Sequence, residues 1–329
     1  MRNKTINELL ELYPFITTYL EDNRLDITGY EDKTYAEFLG HFSLEEIEDD
    51  AMDIAQLEAD FFDHITQMQA FLGMDEDDPV RSLTILPGRD KSGNEEGFDR
   101  LEIRRSEIVA IVGPTGSGKS RLLADIEWTA QRDTPTDREI LINNEIPDKK
   151  WRFSSNNKLV AQLSQNMNFV MDLTVREFLE LHAQSRMVQD IPDVVARIVE
   201  AANKLAGEQF TTDTQITSLS GGQSRALMIA DTAILSTSPI VLIDEIENAG
   251  IDRKKALDLL VSEDKIVLMA THDPLLALMA DRRIVISNGG IGKVLETSKE
   301  EKEKLKELEA MDDRLQEIRR KLRYGGSVI

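Results

Sequence analysis

"EIVAIVGPTGSGKSRLL", Glu107 to Leu123, is the stretch on which the fold turns. Its apolar run is too short for a helix and stops at a glycine, so Glu107 to Val112 reads as a buried strand passing into a loop and then a helix. Gly113, Pro114, Thr115, Gly116, Ser117, Gly118, Lys119 and Ser120, with Arg121 just behind, fit the phosphate-loop spacing G-x-x-x-x-G-K-[ST]. Glycines let backbone amides close around phosphate oxygens, and the helix start adds the positive end of its dipole. Lys119 is expected to reach the β and γ phosphates, and Ser120 a magnesium ion. The loop alone says nucleoside triphosphate and leaves kinases, GTPases and motors open.

Further stretches narrow that choice. "SPIVLIDEIENAGID" is an apolar strand, Ile240 to Ile243, ending in adjacent carboxylates. Asp244 can sit beside magnesium, and Glu245 can orient and deprotonate an attacking water. "KIVLMATHDP" is another strand, leading to His272 at the edge where parallel sheets gather ligands. "KLVAQLSQNMNFVMDLTVREFL" puts Gln165 after a short strand, where its amide can meet magnesium and water, with Gln162 as the alternative. "TSLSGGQSRALMIAD" holds a second glycine-rich helix start, Ser220, Gly221, Gly222 and Gln223, whose bare amides can approach an anion closely.

Phosphate loop, glutamine, LSGGQ, Asp-Glu and histidine, in that order, resemble the ATP-binding cassette ATPases. The resemblance covers about Val80 to Glu296. It implies an α/β fold with a RecA-like core and a helical subdomain at about 166–218, and hydrolysis of ATP with magnesium held by Ser120, Gln165 and Asp244. It implies Glu245, His272 and Gln165 as catalytic residues. It also implies a head-to-tail homodimer on ATP binding, in which Ser220, Gly221 and Gly222 cap the partner's γ-phosphate and Gln223 supports the loop. Asp252 matches the family's loop that communicates across this interface. The groove near Gln165 then receives the protein to be moved, and Met167, Phe169 and Met171 either line it or belong to the core. Three positions depart from the family: Ile246-Glu247 follows Glu245, Ser106 stands where glycine is usual, and no aromatic sits clearly where adenine stacks, Phe98 being the candidate.

Charge divides the chain. The first 80 residues carry 21 acidic and 4 basic side chains, a net of -17 against -5 for the remainder. Such a field repels phosphate backbones, so no direct nucleic-acid partner is expected. A DNA-repair ATPase of related fold would need a long coiled-coil insertion, and only 53 residues separate Gln165 from Leu219. The acidic segment, residues 1–78, reads as a small all-α domain. Capping boxes recur at Thr5 with Glu8, Thr34 with Glu37 and Ser43 with Glu46, and Leu57, Phe61, Ile65, Met68 and Leu72 share a helical face. The run Asp75 to Pro79 ends it. "TINELLELYPFITTYLEDNRLDITGY" is similar to a helical domain of unknown function found at the N-terminus of iron-sulfur cluster repair proteins. That family often has cysteines near Asp26 to Tyr30, where this sequence has none. His41 and His64 have no partners at ligand spacing and read as surface or core residues.

The cassette is expected over residues 79–297 and an amphipathic helix over 298–329. That helix carries Leu308, Met311, Leu315, Ile318 and Leu322 at alternating spacings of three and four, two heptads being too few for a coiled coil alone. Packing against the cassette is the expected use. With no cysteine, no leader pattern and no apolar run near the ~20 residues of a membrane helix, the expectation is a cytoplasmic protein. Two roles remain: an ATPase that energises a cytosolic partner through the acidic domain, which is slightly favoured, and a nucleotide-binding subunit whose membrane part is another chain.

Overall fold

The computed structural model describes all residues except 44–46, 48–52, 73–78, 149, 150, 152–157, 165–168, 189, 245–249, 324, 328 and 329, with backbone only at 70–72, 316, 319, 320 and 323. Gln165, Met167, Glu245, Ile246, Glu247, the Glu46 half of the Ser43 capping box and the run Asp75 to Asp78 therefore lie outside the described residues. The chain divides into two compact units, Met1–Asp78 and Pro79–Ile329.

The first unit is helical, with helices Ile6–Leu12, Ile16–Asp22, Tyr35–Leu39 and Ile54–Leu72. Thr5 with Glu8 and Thr34 with Glu37 close reciprocal capping boxes, which supply the free amides of two short helix starts. Ile6, Leu9, Ile16, Tyr35, Phe61 and Ile65 are buried, and the rings of Tyr35 and Phe61 stack with centroids 3.7 Å apart. His64 packs beside Tyr19, and His41 lies edge-on to Tyr30, so both histidines belong to aromatic clusters.

Among the described residues, the second unit holds two sheets. Strands β1 (Ser82–Leu86), β2 (Leu101–Arg104) and β4 (Glu139–Ile142) form an antiparallel sheet in the order β2-β1-β4. Strands β3 (Ile108–Val112), β5 (Val160–Leu163), β6 (Ile240–Asp244), β7 (Ile266–Ala270), β8 (Arg282–Ser287) and β9 (Gly290–Glu296) form the larger sheet, ordered β5-β6-β7-β3-β8-β9. It is parallel except for β9. Side chains alternate across it: Ala110, Val241, Ile243, Val267 and Met269 join one core cluster, and Val109, Ile111, Ile240, Leu242, Ile266 and Leu268 the other. Both faces are covered, which is why these strands read as unbroken apolar runs. Helices Val175–Ser185, Ile191–Leu205, Gly221–Ile234 and Arg253–Ser262 contribute to the first cluster, and helix Lys119–Glu127 and the antiparallel sheet to the second.

Strand β3 begins at Ile108 instead of the expected Glu107. Glu107 belongs to the preceding turn, where its amide donates to Arg104 O, and Ser106 sits at φ 59° in the left-handed region that glycine occupies more cheaply. Ser106 Oγ donates to Asp264 Oδ1 at 2.9 Å, and its amide to Lys265 O at 3.1 Å, which offsets part of that cost. The final helix, Lys299–Arg323, packs along helix Pro274–Met279.

Candidate functional site

Register in the parallel sheet places the site. Asp244 pairs with Ala270, and Ala270 with Ile111, so β6, β7 and β3 end in one row. The loops leaving these strands, and the loop leaving β5 two residues before Gln165, emerge side by side at the carboxyl edge.

The loop after β3 is built as an anion cradle. Gly113, Gly116 and Gly118 have φ of 155°, 78° and 112°, and Gly118 is the N-cap of helix Lys119–Glu127. A Cβ on Gly118 would lie 2.8 Å from the Cα of Gly289, so the turn between β8 and β9 backs the loop at backbone contact. Pro114, Thr115, Gly116, Ser120 and Arg121 are exposed. Ser117 Oγ is buried without a hydrogen-bond partner. Lys119 Nζ donates to Gly113 O at 2.8 Å and lies 3.1 Å from His272 Nε2, which joins the loops after β3 and β7. His272 stands two residues beyond the end of β7, and Asp273 next to it accepts from the amide of Leu275 and caps helix Pro274–Met279. Hydroxyl and carboxylate oxygens, from Ser120 and Asp244, are the hard donors that magnesium takes alongside phosphate oxygens. The chemistry of the donors and the amide cradle both fit a magnesium-bound triphosphate.

The second glycine-rich turn is separate and outward-facing. Ser220 caps helix Gly221–Ile234: its side chain accepts from Gln223 N at 3.3 Å, and its amide donates to Gln223 Oε1 at 2.8 Å. Gln223 Nε2 donates to Glu208 O and Gln209 O, both at 3.3 Å, bracing the turn from behind. Ser220 and Gly221 are exposed, and a Cβ on Gly221 would meet nothing within 4 Å. Asp252 caps helix Arg253–Ser262 by accepting from Lys255 N, and its own amide donates to Leu205 O, tying the loop after β6 to the helical subdomain.

Sequence reasoning missed several partners of the site. Lys91 Nζ donates to Gly116 O at 2.8 Å, bringing a second cation to the phosphate loop from the segment between β1 and β2. That segment is pinned by Asp90, whose carboxylate accepts from Ser92, Asn94 and Asn288. Burial pushes the Asp90 carboxyl upward, but the hydrogen bonds from Asn94, Asn288 and Ser92 outweigh it and hold the group below the usual carboxylate range. Phe98, in the same segment, packs half-buried against the second core cluster. A turn rich in Asp, Ser, Gly and Asn was the available signal, since such residues pin loops through their own side chains.

Beside the helical subdomain lies an open groove of about 310 Å³, lined by Met171, Leu173, Phe178, Leu181, His182 and Asp231. Met171 is exposed there, whereas Phe169 is half-buried against the Phe178 ring, with centroids 5.1 Å apart. At the edge of the groove His182 Nδ1 meets Asp231 Oδ1 at 2.9 Å.

Comparison with known proteins agrees with this geometry. The family model described as "ABC transporter" matches residues 99–248. An uncharacterized ABC transporter ATP-binding protein of Methanocaldococcus jannaschii is 52% identical over 246 residues, 75% of this chain and 94% of the relative. An energy-coupling factor transporter ATP-binding protein of Clostridium perfringens is 29% identical over 214 residues, 60% of this chain and 73% of the relative. Among solved structures, an ATP-binding subunit of an ABC transporter superposes with TM-score 0.51 at 20% identity, over 65% of this chain and 89% of that one. A dimeric bacterial ABC transporter cassette superposes with TM-score 0.50 at 25% identity, over 66% and 99%. With its phosphate loop, its capped LSGGQ helix and a relative that it matches at 52% over nearly the whole of that protein's length, the chain belongs to the ATP-binding cassette family of ATP-hydrolysing proteins.

Proposed function

We propose that the chain hydrolyses MgATP as a head-to-tail homodimer and uses closure of that dimer to move a partner protein. The observation that carries this reading is the separation of two anion-ready turns. One of them, Gly113 to Ser120, is joined to His272 through Lys119; the other, Ser220 to Gln223, is exposed and braced from behind. Lys119 holds the β and γ phosphates, and Ser120, Gln165 and Asp244 hold the metal, which supplies neutralising charge for the phosphates. Glu245 takes the proton of the attacking water, His272 holds the γ-phosphate, and Gln165 senses both. Ser220, Gly221 and Gly222 cap the γ-phosphate bound by the other copy, and Asp252 meets its counterpart at the interface. A dimeric cassette among the structural neighbours supports the pairing.

The groove around Met171, Phe178 and Leu181 is the proposed seat of the partner, because it is open and mostly apolar and its lining begins six residues after Gln165 in the sequence. A partner outside the membrane is slightly favoured, on the acidic unit 1–78 and on Ile246-Glu247 after the catalytic glutamate. The relatives, which are named as transporter ATP-binding proteins, support a second reading: a membrane subunit carried by another chain. Affinity isolation of the Glu245→Gln protein in MgATP, with detergent-solubilised membranes and the remaining extract probed separately, discriminates the two. Recovery of a partner from the extract alone supports the first reading, and recovery of a polytopic protein from membranes overturns it.

A further inference from the structure

The helix Lys299–Arg323 is only half used by the cassette. Ser298 and Glu301 cap its start. Its first half is then tied down by Arg283 to Glu301 at 2.5 Å, by Lys254 to Glu309 at 2.9 Å, and by Arg253 to Asp312 at 2.8 Å. Met311, Leu315 and Leu322 nevertheless remain 62%, 51% and 60% exposed. Together with Leu308 and Ile318 they occupy an arc of roughly 80° on one side of the helix, next to the anchored face.

We propose that this stripe pairs with the same stripe of a second copy, antiparallel, forming a seam across the two-fold axis of the ATP-closed dimer. The inference rests on the head-to-tail reading above and adds a contact outside both nucleotide sites. Three observations select a second copy as the occupant.

The first is position. Arg253, which grips Asp312, directly follows Asp252, the residue proposed to meet its counterpart at the interface. Arg253 also pairs with Asp273, the neighbour of His272. The stripe is therefore rooted where the two copies meet, and its centre, Leu315, lies within one helical turn of the Asp312 anchor.

The second is self-complementarity. The spacings 308, 311, 315, 318, 322 run three, four, three, four, and reversal about Leu315 sets 315 against 315, 308 against 322 and 311 within one residue of 318. A two-fold axis demands this kind of isologous match.

The third is charge. Residues 299–313 carry seven acidic and four basic residues, whereas residues 314–323 carry one acidic and five basic. Antiparallel pairing lays each acidic half beside the other copy's basic half, and parallel pairing opposes like charges. Two heptads do not hold a coiled coil alone, so the seam forms when nucleotide brings the copies together.

The chain has no cysteine, so an introduced one is the sole thiol. In the full-length Glu245→Gln background, Leu315→Cys is oxidised with and without MgATP, while light scattering records the dimer in parallel. The expected result is a self-linked dimer that forms roughly tenfold faster with MgATP, since a disulfide needs Cα atoms within about 7 Å. Leu308→Cys alone should not self-link, whereas a mixture of Leu308→Cys and Leu322→Cys should cross-link. Met311→Lys with Leu315→Lys should weaken the ATP dimer by about tenfold, because buried like charges oppose pairing, and leave MgATP affinity of the monomer unchanged. Self-linking of Leu308→Cys as fast as Leu315→Cys overturns the antiparallel seam. A dimer seen by scattering with no cross-link at Leu315→Cys overturns the seam and leaves the head-to-tail reading standing, whereas MgATP binding without any dimer overturns both.

Discussion

Arg138→Met tests the frame that holds the phosphate loop. Arg138 is fully buried, and its side chain donates to Glu96 through Nη2 at 2.6 Å and Nε at 3.1 Å, to Asp125 through Nη1 at 2.8 Å, and to Gly289 O at 3.0 Å. Burial alone would pull its pKa down, but the hydrogen bonds and charges of Glu96 and Asp125 outweigh that and raise it above the ordinary guanidinium value. Glu96 also accepts the amides of Gly88 at 2.9 Å and Ile291 at 2.5 Å, and Asp125 accepts the Thr136 hydroxyl at 2.7 Å. The network thus ties the β1–β2 segment, the phosphate-loop helix, β4 and the β8–β9 turn to one guanidinium.

Removing the cation strands two carboxylates whose side chains are 1% and 3% exposed, and breaking a buried pair in this way costs about 3–5 kcal/mol. Glu96→Gln loses the charge that Arg138 pairs with and keeps one oxygen, which serves only one of the two amides because Gly88 N donates to Oε2 and Ile291 N to Oε1, so its cost is about 1.5–3 kcal/mol. Both tryptophans, Trp128 and Trp151, belong to the cassette unit, so urea unfolding followed by tryptophan fluorescence reports that unit alone. MgATP affinity should fall too, because Gly289 backs Gly118. An Arg138→Met protein within about 1 kcal/mol of the parent would refute the reasoning, since no buried, uncompensated carboxylate pair is that cheap.

Lys265 supplies a pH test. Its ammonium is buried, donating to Ser236 O at 2.6 Å, and burial is the main cause that lowers its pKa. Between that lowered value and about 10.4, the unfolded chain binds the extra proton, so cassette stability gains as pH rises through this window. Lys265→Met should abolish the gain in urea midpoints read by tryptophan fluorescence, and a gain that persists assigns it elsewhere. Deleting residues 1–78, a compact unit by itself, should leave ATP turnover within a few-fold, about 1 kcal/mol of barrier. It should also abolish capture of a partner whose binding weakens with salt, as the -17 charge of the first 80 residues implies. Retention of the partner by the truncated chain would assign docking to the cassette.

Legibility in the sequence followed how local each feature is. Gly113 to Ser120 and Ser220 to Gln223 were readable because amide cradles and capping boxes are set by residues three to seven apart. Strands β6 and β7 were readable as apolar runs because both sheet faces are covered. The antiparallel sheet of β1, β2 and β4 gave no such run, and pairing of Leu83 with both Ile103 and Ile142 depends on a crossover that no short window contains. The Arg138 network draws on residues 96, 125 and 289, and charged residue types are ordinarily exposed, so nothing local marked them as core. Lys91 escaped for the same reason, a surface-type lysine in a polar turn that meets Gly116 only through the fold. The last helix was readable as amphipathic, but the partition of its faces was not. Anchoring by Arg253, Lys254 and Arg283 takes one side and leaves the heptad stripe outward.

The central claim, that each ATP is enclosed by the phosphate loop of one copy and the LSGGQ turn of the other, is tested most directly by mixing two inactive proteins. Lys119→Ala removes the cation of the phosphate loop, and Ser220→Arg adds bulk at an exposed turn on a different helix start. Each alone should bind no ATP or fail to dimerise, and neither should turn over. A mixed dimer contains one intact composite site, from the loop of the Ser220→Arg copy and the turn of the Lys119→Ala copy. Random pairing makes half the dimers mixed, so phosphate release from an equimolar mixture should recover to about a quarter of the parent rate. A mixture as inactive as its components, at concentrations where the parent dimerises with MgATP, would contradict the claim.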